Sequence, residues 1–276
     1  MESKSISRNM KIILLLSLLL SLLVMVASFS GVFIKETYSK EVRYFAVQGI
    51  GQDFVNLVIV SPALIISSFL FYKMNKAAMF IWSGIILYLI YSYTIYCFSM
   101  HFNFLFLIYC GVFGLSFYLF GYYFITQLKK ENNFVLNNSL IKITSSFFIL
   151  LSSLFYFMWL SEVIPALIKN EIPKSVLENG VATNAVHVLD ISIFLPGLVI
   201  TAFMLKKKKL AGFILTPAFL TFSLFMYIAI IGMMITLNIN GFETELSVVL
   251  IFSIITFFCL LLLLIFLKSM KKDFGN

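Results

Sequence analysis

The chain has 276 residues, of which 61% are hydrophobic and only 12% are charged, and its net charge is +8. Soluble domains are about 45–50% apolar and about 25% charged, so a soluble fold has no room to bury this much apolar surface. The composition excludes a cytosolic enzyme, a nucleic-acid-binding protein, a disordered chain and a disulfide-stabilised scaffold. It indicates that the lipid bilayer is the solvent of this chain.

Apolar stretches of membrane-spanning length occupy most of the chain. A bilayer core of about 30 Å needs about 20 apolar residues per crossing, because an α-helix rises about 1.5 Å per residue. Eight such stretches occur, here numbered span 1 to span 8: 12–34, 54–72, 77–98, 104–127, 143–161, 188–205, 211–236 and 246–267. The sequence therefore predicts an all-α, polytopic membrane helix bundle with eight transmembrane helices in a single transmembrane domain, residues 1–276.

Basic residues collect on one side of the predicted spans. If the N-terminus lies inside, fifteen of the twenty basic residues fall in cytoplasmic segments and nine of the twelve acidic residues fall outside. Cytoplasmic loops carry such a positive excess, so we expect a cell-membrane protein with both termini in the cytoplasm. Lys206–Lys209 lies between two spans and is interpreted as an orientation signal, so no nucleic-acid partner is implied. Span 1 also has features of a cleaved signal peptide, although its uncharged run continues to Ile34.

The chain matches itself at an offset of 134 residues. Pro62 aligns with Pro196 and Lys73 with Lys207, among six identities in the sixteen positions from 62 to 77. This predicts a parallel repeat of four plus four spans, with halves 12–127 and 143–267, although coincidence in apolar sequence is the alternative. Prolines inside spans remove backbone donors, so we expect bends in spans 2, 6 and 7.

Ionisable and polar groups gather at the predicted outer ends of the spans. A charged group at membrane depth is costly and marks a functional site by default. The candidate metal ligands are Asp53, His187 and Asp190, and the candidate ligand-binding residues are Asn56, His101 and Glu162. Asp53 with Asn56, and His187 with Asp190, are spaced by three residues and share a helical face. Imidazole beside carboxylates suits a divalent metal ion or acid–base chemistry, whereas helix capping and interhelical hydrogen bonding are the alternative.

Further features flank this polar group. Tyr88 and Tyr91 lie deep in span 3, so their hydroxyls need partners. The segment 162–186 contains a short helix over residues 174–179, interpreted either as a lid over the site or as a surface connector. Residues 35–52 are predicted to form a polar loop that ends in the flexible sequence Gly49-Ile50-Gly51.

Three of these segments resemble a known group of proteins. They are Gln48-Gly49-Ile50-Gly51-Gln52-Asp53, Phe102-Asn103-Phe104-Leu105-Phe106-Leu107-Ile108-Tyr109, and Asn184-Ala185-Val186-His187-Val188-Leu189-Asp190 ahead of Leu195-Pro196. The chain is similar, from about residue 40 to residue 235, to an uncharacterised group of bacterial multi-pass integral membrane proteins with no known activity. The resemblance implies no activity for this chain.

The main functional hypothesis is an integral membrane protein with an outward-facing polar site for a metal ion or a small ligand. A small-solute transporter is the first alternative, supported by the repeat but not by any polar site at the membrane midplane. A membrane-embedded enzyme with His187 as a base, or a structural subunit of a membrane complex, are further alternatives. The sequence identifies no protein partner.

Overall fold

The computed structural model describes residues 2–129 and 136–272, and these residues form helices and turns with no β-strand. Eight of the described helices are long and apolar enough to cross a membrane, and each of the eight predicted spans falls on one of them. They are α1 (Asn9–Phe33), α2 (Arg43–Tyr72), α3 (Lys76–Ser99), α4 (Phe106–Leu128), α5 (Asn138–Lys169), α6 (Ala185–Lys206), α7 (Leu210–Ile239) and α8 (Leu246–Ser269). The protein is a polytopic membrane helix bundle. Lys130, one of the fifteen basic residues counted in the cytoplasmic segments, lies outside the described residues.

Asparagine side chains cap three of the helices. Asn75, Asn137 and Asn184 each precede a helix, and each side-chain carbonyl accepts a hydrogen bond from a backbone N–H of the first turn, at 2.8–3.0 Å. A helix leaves its first N–H groups without intrahelical partners, so these caps determine where α3, α5 and α6 begin.

The centre of the bundle is formed by α3 and α7, the two most buried spanning helices, which pack against each other. Two aromatic pairs join them: Tyr88 with Phe225 and Tyr91 with Phe222, with ring centroids 6.4 and 5.6 Å apart. Adding 134 to the number of either tyrosine gives the phenylalanine of the other pair. This exchange is what a twofold relation between α3 and α7 would produce.

Helices α2 and α6 share an irregularity at the same offset. A π-helical turn occupies Asn56–Val60 in α2 and Asp190–Phe194 in α6. In each case an α-helical segment follows with proline as its second residue, Pro62 or Pro196. Proline cannot donate to the preceding turn, and π turns within α-helices are frequent at functional sites.

The turns after these two helices also correspond. Met74 and Lys208 both adopt the left-handed conformation, with φ of 62° and 51°. The next helices begin two residues later, at Lys76 and Leu210. These matches agree with the predicted repeat, and the superposition of the two halves stays a prediction.

The expectation of a flexible Gly49-Ile50-Gly51 segment is wrong. Helix α2 begins at Arg43, eleven residues before the predicted boundary, so both glycines lie inside it. A Cβ built on Gly51 would lie 2.7 Å from the Cα of Met233 and 2.8 Å from the carbonyl oxygen of Gly232. The glycine is there because α2 and α7 approach each other too closely for a side chain.

The short helix predicted at residues 174–179 is present as Lys174–Asn179, and it ends at Gly180, which has a φ of 64°. It lies at the end of the bundle that carries residues 34–42, here called the loop-1 end, where its Asn179 accepts a hydrogen bond from Gln48 of α2 at 3.2 Å. Helix α5 runs to Lys169, eight residues beyond its predicted end, and contains Pro165.

Replacing Gly51 should destabilise the bundle. We expect Gly51→Ala to lower the free energy of unfolding by about 1–3 kcal/mol, because the added methyl group forces two backbones apart. Thermal unfolding of the purified protein in detergent measures this. Gly114→Ala is the matched control, since a Cβ on Gly114 of α4 meets nothing within 4 Å. If both variants melt at the same temperature, close packing at Gly51 is not required.

Candidate functional site

Two carboxylates, buried Asp53 and half-buried Asp190, lie in the loop-1 half of the bundle, one on each of the two helices with π turns. Asp53 belongs to α2 and Asp190 to α6. Helix α3 donates a hydrogen bond to each of them, from Tyr96 to Asp53 at 2.9 Å and from Tyr91 to Asp190 at 3.0 Å. Each carboxylate belongs to its own cluster of polar side chains.

The polar cluster around Asp53 is shielded from solvent. Asp53 is 1% exposed, and its two oxygens accept hydrogen bonds from Tyr38 and Tyr96. Tyr38 lies in the connection between α1 and α2, and burial raises the pKa of its hydroxyl well above the usual range, which keeps it a donor. One turn further along α2, Asn56 accepts a hydrogen bond from Tyr88 at 2.7 Å. The two deep tyrosines of span 3 therefore both have protein partners, Asn56 and Asp190.

The Asp190 cluster is built on Trp159. The indole N–H of Trp159 on α5 donates to Asp190 at 2.8 Å, and the same ring lies against the imidazole of His187, with centroids 4.7 Å apart. Asp190 thus accepts from two neutral donors, Trp159 and Tyr91, one on each oxygen. This arrangement satisfies the carboxylate and fixes its orientation.

His187 contacts both the short helix Lys174–Asn179 and helix α5. Its Nε2 lies 3.3 Å from the hydroxyl of Ser175 and 3.6 Å from a carboxylate oxygen of Glu162. The other oxygen of Glu162 accepts from the backbone N–H of Ser175 at 2.7 Å, and the side-chain amide of Asn184 donates to the Ser175 hydroxyl at 3.2 Å. Glu162 and His187 are therefore neighbours, in the cluster that also contains Asp190.

Ser175, His187 and Glu162 do not form the relay of a serine hydrolase. In that relay the nucleophile and the carboxylate bind opposite nitrogens of the imidazole ring. Here both groups face the same nitrogen, Nε2. The contacts hold the short helix in place, and they do not prepare Ser175 as a nucleophile.

His101 lies apart from both clusters. Its Nδ1 and its backbone nitrogen lie 2.9 and 2.7 Å from the two carboxylate oxygens of Glu41, and its side chain is 52% exposed. His101 was predicted to join the other polar candidates only because the turn between α3 and α4 lies at the same end of the bundle. Its partner comes instead from the connection before α2.

The proposed metal ligands do not converge on one point. Across residues 2–129 and 136–272, no group of three or more His, Cys, Asp or Glu residues is placed to hold a metal ion. The oxygens of Asp53 are used by two tyrosines, and Trp159 contacts Asp190 through its indole N–H and His187 through its ring. The structure brings together His187, Glu162 and Asp190, and it leaves Asp53 and Asn56 in a separate cluster.

A cavity of about 360 Å³ opens beside Asp190. On α7 its lining runs from Leu237 to Phe222, which is about 22 Å of helix at about 1.5 Å per residue. The polar residues of the lining are Tyr44, Gln48, Gln52, Tyr91, Trp159, Ser175, Glu178, Asn179, Asn184, Asp190, Ser223 and Tyr227. Asp53 and His187 do not line it. The cavity reaches from the loop-1 end into the membrane-spanning part of the bundle.

Most of the cavity wall was not foreseen from the sequence. Trp159, Gln48 and Ser175 line it, yet none was a candidate site residue. One signal was present for Trp159, because it is one of two tryptophans in the chain and precedes Glu162 by three residues, which places the two on one helical face. Nothing in the sequence brings α5 against α6.

Comparison with protein-family models, curated proteins and solved structures finds no match to this chain. The resemblance to an uncharacterised bacterial group therefore stays a prediction.

Removing one donor from Asp53 should destabilise the protein. We expect Tyr96→Phe to lower the free energy of unfolding by about 1–2 kcal/mol, because hydrogen bonds between membrane helices are worth about 0.6–1.7 kcal/mol and a buried acceptor loses its partner. Thermal melting in detergent is the measurement. Tyr118→Phe removes the same hydroxyl from a residue that is 77% exposed and should leave the melting temperature unchanged. Equal melting of both variants would contradict a stabilising role for the Asp53 cluster.

Proposed function

We propose that the protein binds a small organic molecule in the cavity beside Asp190, at an outward-facing site in the cell membrane. The observation that carries this proposal is the cavity itself. Small-molecule sites are concave and mostly apolar, with a few polar groups that orient the ligand, and their volumes are about 300–1,000 Å³. The cavity of about 360 Å³ fits this description, and Asp190, Gln52 and Ser175 are its orienting groups.

A small organic ligand fits the lining better than a metal ion does. Asp190 and Glu178 are the carboxylates of the described lining, and each oxygen of Asp190 already accepts a hydrogen bond. A hard divalent cation needs about six oxygen ligands. The aromatic and methionine side chains of the wall offer apolar contact instead, which favours an organic body.

Transport of the ligand is a second candidate function. The observation in its favour is that α2 and α6 carry the same π turn and proline, while one of their two carboxylates is closed off and the other lines a cavity. Irregular helix segments in corresponding positions of two halves are typical of transporter binding sites.

The outward orientation predicts a labelling pattern. With the three native cysteines, Cys97, Cys110 and Cys259, replaced by alanine, Lys174→Cys should react with a membrane-impermeant maleimide added to whole cells, because the positive-inside partition puts 162–186 outside. Ser139→Cys, an exposed position at the start of α5, should react only after the cells are opened. The reverse pattern would place the cavity mouth in the cytoplasm.

Ligand binding can be followed through Trp159. Trp82, which is fully buried and donates to Ser17 at 3.0 Å, can be replaced by Phe so that Trp159 is the single fluorophore. The probes are benzyltrimethylammonium and its uncharged isostere neopentylbenzene. We expect at least one of them to change the Trp159 emission saturably, because the ring borders the cavity.

Two matched variants test whether the probe occupies the cavity. Ser223→Phe adds a ring inside the lining, whereas Ser253→Phe adds the same ring at an exposed position of α8. Ser223→Phe should weaken binding about tenfold or more, as expected for roughly 1.4 kcal/mol of lost contact, and Ser253→Phe should not. The proposal is wrong if neither probe binds, or if both variants bind like the parent while gel filtration shows them folded.

A further inference from the structure

We propose that the ligand is an organic cation with an apolar body and that Asp190 is its counter-ion. This inference rests on the proposed function, because it names the class of molecule that the same cavity takes. It goes further in that it assigns a charge to the ligand and a role to one residue. Three features of the wall carry it: the sign of its charge, the state of Asp190 and the aromatic faces around it.

The charge of the wall is negative. Asp190 and Glu178 line the cavity, and among the described lining residues none is lysine or arginine. Glu178 pairs with Lys174, whose Nζ lies 3.5 Å from its carboxylate, so Asp190 supplies the uncompensated negative charge of the wall. The remaining titratable lining groups are the hydroxyls of Tyr44, Tyr91 and Tyr227. Narrow clefts lined by one sign of charge raise the local concentration of opposite ions by about 10- to 1,000-fold. The cavity therefore attracts cations and repels anions.

Asp190 has hydrogen-bond donors but no charge partner in the described structure. Trp159 and Tyr91 are both neutral donors, and the ion pairs found among the described residues involve Glu41, Glu162 and Glu178 instead. Trp159 donates to Asp190, and its ring also lies against His187. Charges shielded from water are normally paired in proteins, and Asp190 is half-buried, so a cation bound in the cavity supplies the charge partner that an ionised Asp190 lacks.

Aromatic rings surround the same space. The aromatic residues of the lining are Tyr44, Tyr91, Phe155, Trp159, Phe194, Phe222, Tyr227 and Phe252. Ring faces attract cations, and rings that surround a carboxylate-lined pocket are the usual means of binding ammonium groups. The rings also supply apolar contact for the body of the ligand. A small inorganic cation has no apolar body to make this contact, which is why the charge is expected on an organic molecule.

The buried carboxylate of Asp53 provides an internal comparison. It too accepts from two neutral donors, but it is 1% exposed and does not line the cavity. Asp53→Asn and Asp190→Asn are therefore the same chemical change at two carboxylates with the same kind of donors, of which only Asp190 faces the proposed ligand. Any general effect of losing a hydrogen-bonded carboxylate appears in both variants.

The test measures charge selectivity inside the cavity. Met226 is a half-buried lining residue of α7, eleven residues from Leu237 at the mouth. In the background without native cysteines, Met226→Cys is reconstituted in nanodiscs. Its rates of modification by cationic trimethylammonium-ethyl methanethiosulfonate and anionic sulfonatoethyl methanethiosulfonate are compared, each divided by the rate with free 2-mercaptoethanol.

We expect the cationic reagent to react faster than the anionic one by about tenfold or more, the lower end of electrostatic focusing in clefts. Asp190→Asn should reduce this ratio at least fivefold, and Asp53→Asn should leave it within twofold. Asp190→Glu, which keeps the charge, should preserve the ratio. A ratio near one, or a ratio that Asp190→Asn does not change, overturns the cation assignment.

Two further measurements distinguish a failure of this inference from a failure of the proposed function. With Asp190 intact, benzyltrimethylammonium should slow modification by the cationic reagent at least fivefold more than neopentylbenzene does at the same concentration. This measurement does not depend on the folding of a carboxylate variant. Equal protection by both probes overturns the cation assignment and leaves the small-molecule site standing. If neither reagent modifies Met226→Cys while Lys174→Cys reacts, the cavity is closed to solutes and both proposals fail.

Discussion

A carboxylate inside a membrane bundle must find its hydrogen bonds within the protein, because the bilayer core offers no water. Asp53 and Asp190 meet this requirement through neutral donors supplied by neighbouring helices. The position of α3 follows from it, since Tyr96 and Tyr91 of this helix reach one carboxylate each. Tyr38, from the connection before α2, is the second donor to Asp53, and Trp159 of α5 is the second donor to Asp190. Packing at this end of the bundle is thus organised around two acidic side chains.

The two carboxylates occupy different positions of the predicted repeat. At the offset of 134 residues Asp53 corresponds to His187 and Asn56 to Asp190, so α2 and α6 each have two polar side chains three residues apart before a proline. The acidic residue occupies the first position in α2 and the second in α6. That shift moves the second carboxylate to the wall of the cavity, whereas the first stays enclosed by tyrosines.

The metal hypothesis and the cavity have Asp190 in common, but Asp53 and His187 do not line the cavity. Spacing along a helix showed that His187 and Asp190 share a face, but it did not show that Trp159 contacts both of them. Once the indole N–H occupies one oxygen of Asp190 and Ser175 faces the imidazole nitrogen, a shared metal ion has no set of donors. The same indole becomes part of an aromatic wall, which is the chemistry that organic cations use.

The sequence by itself determined the eight spans, the short helix Lys174–Asn179 and the offset at which α2 and α6 share a π turn, because apolar length, capping residues and prolines act locally along the chain. It also identified Asp53, His187 and Asp190, since buried charge is rare in membrane helices. Only the tertiary structure decided that Gly51 lies inside a helix, that His101 pairs with Glu41 and that Asp190 faces a cavity. These outcomes depend on which helices touch, and apolar spans carry almost no sequence signal for their neighbours because lipid and protein interiors are equally apolar.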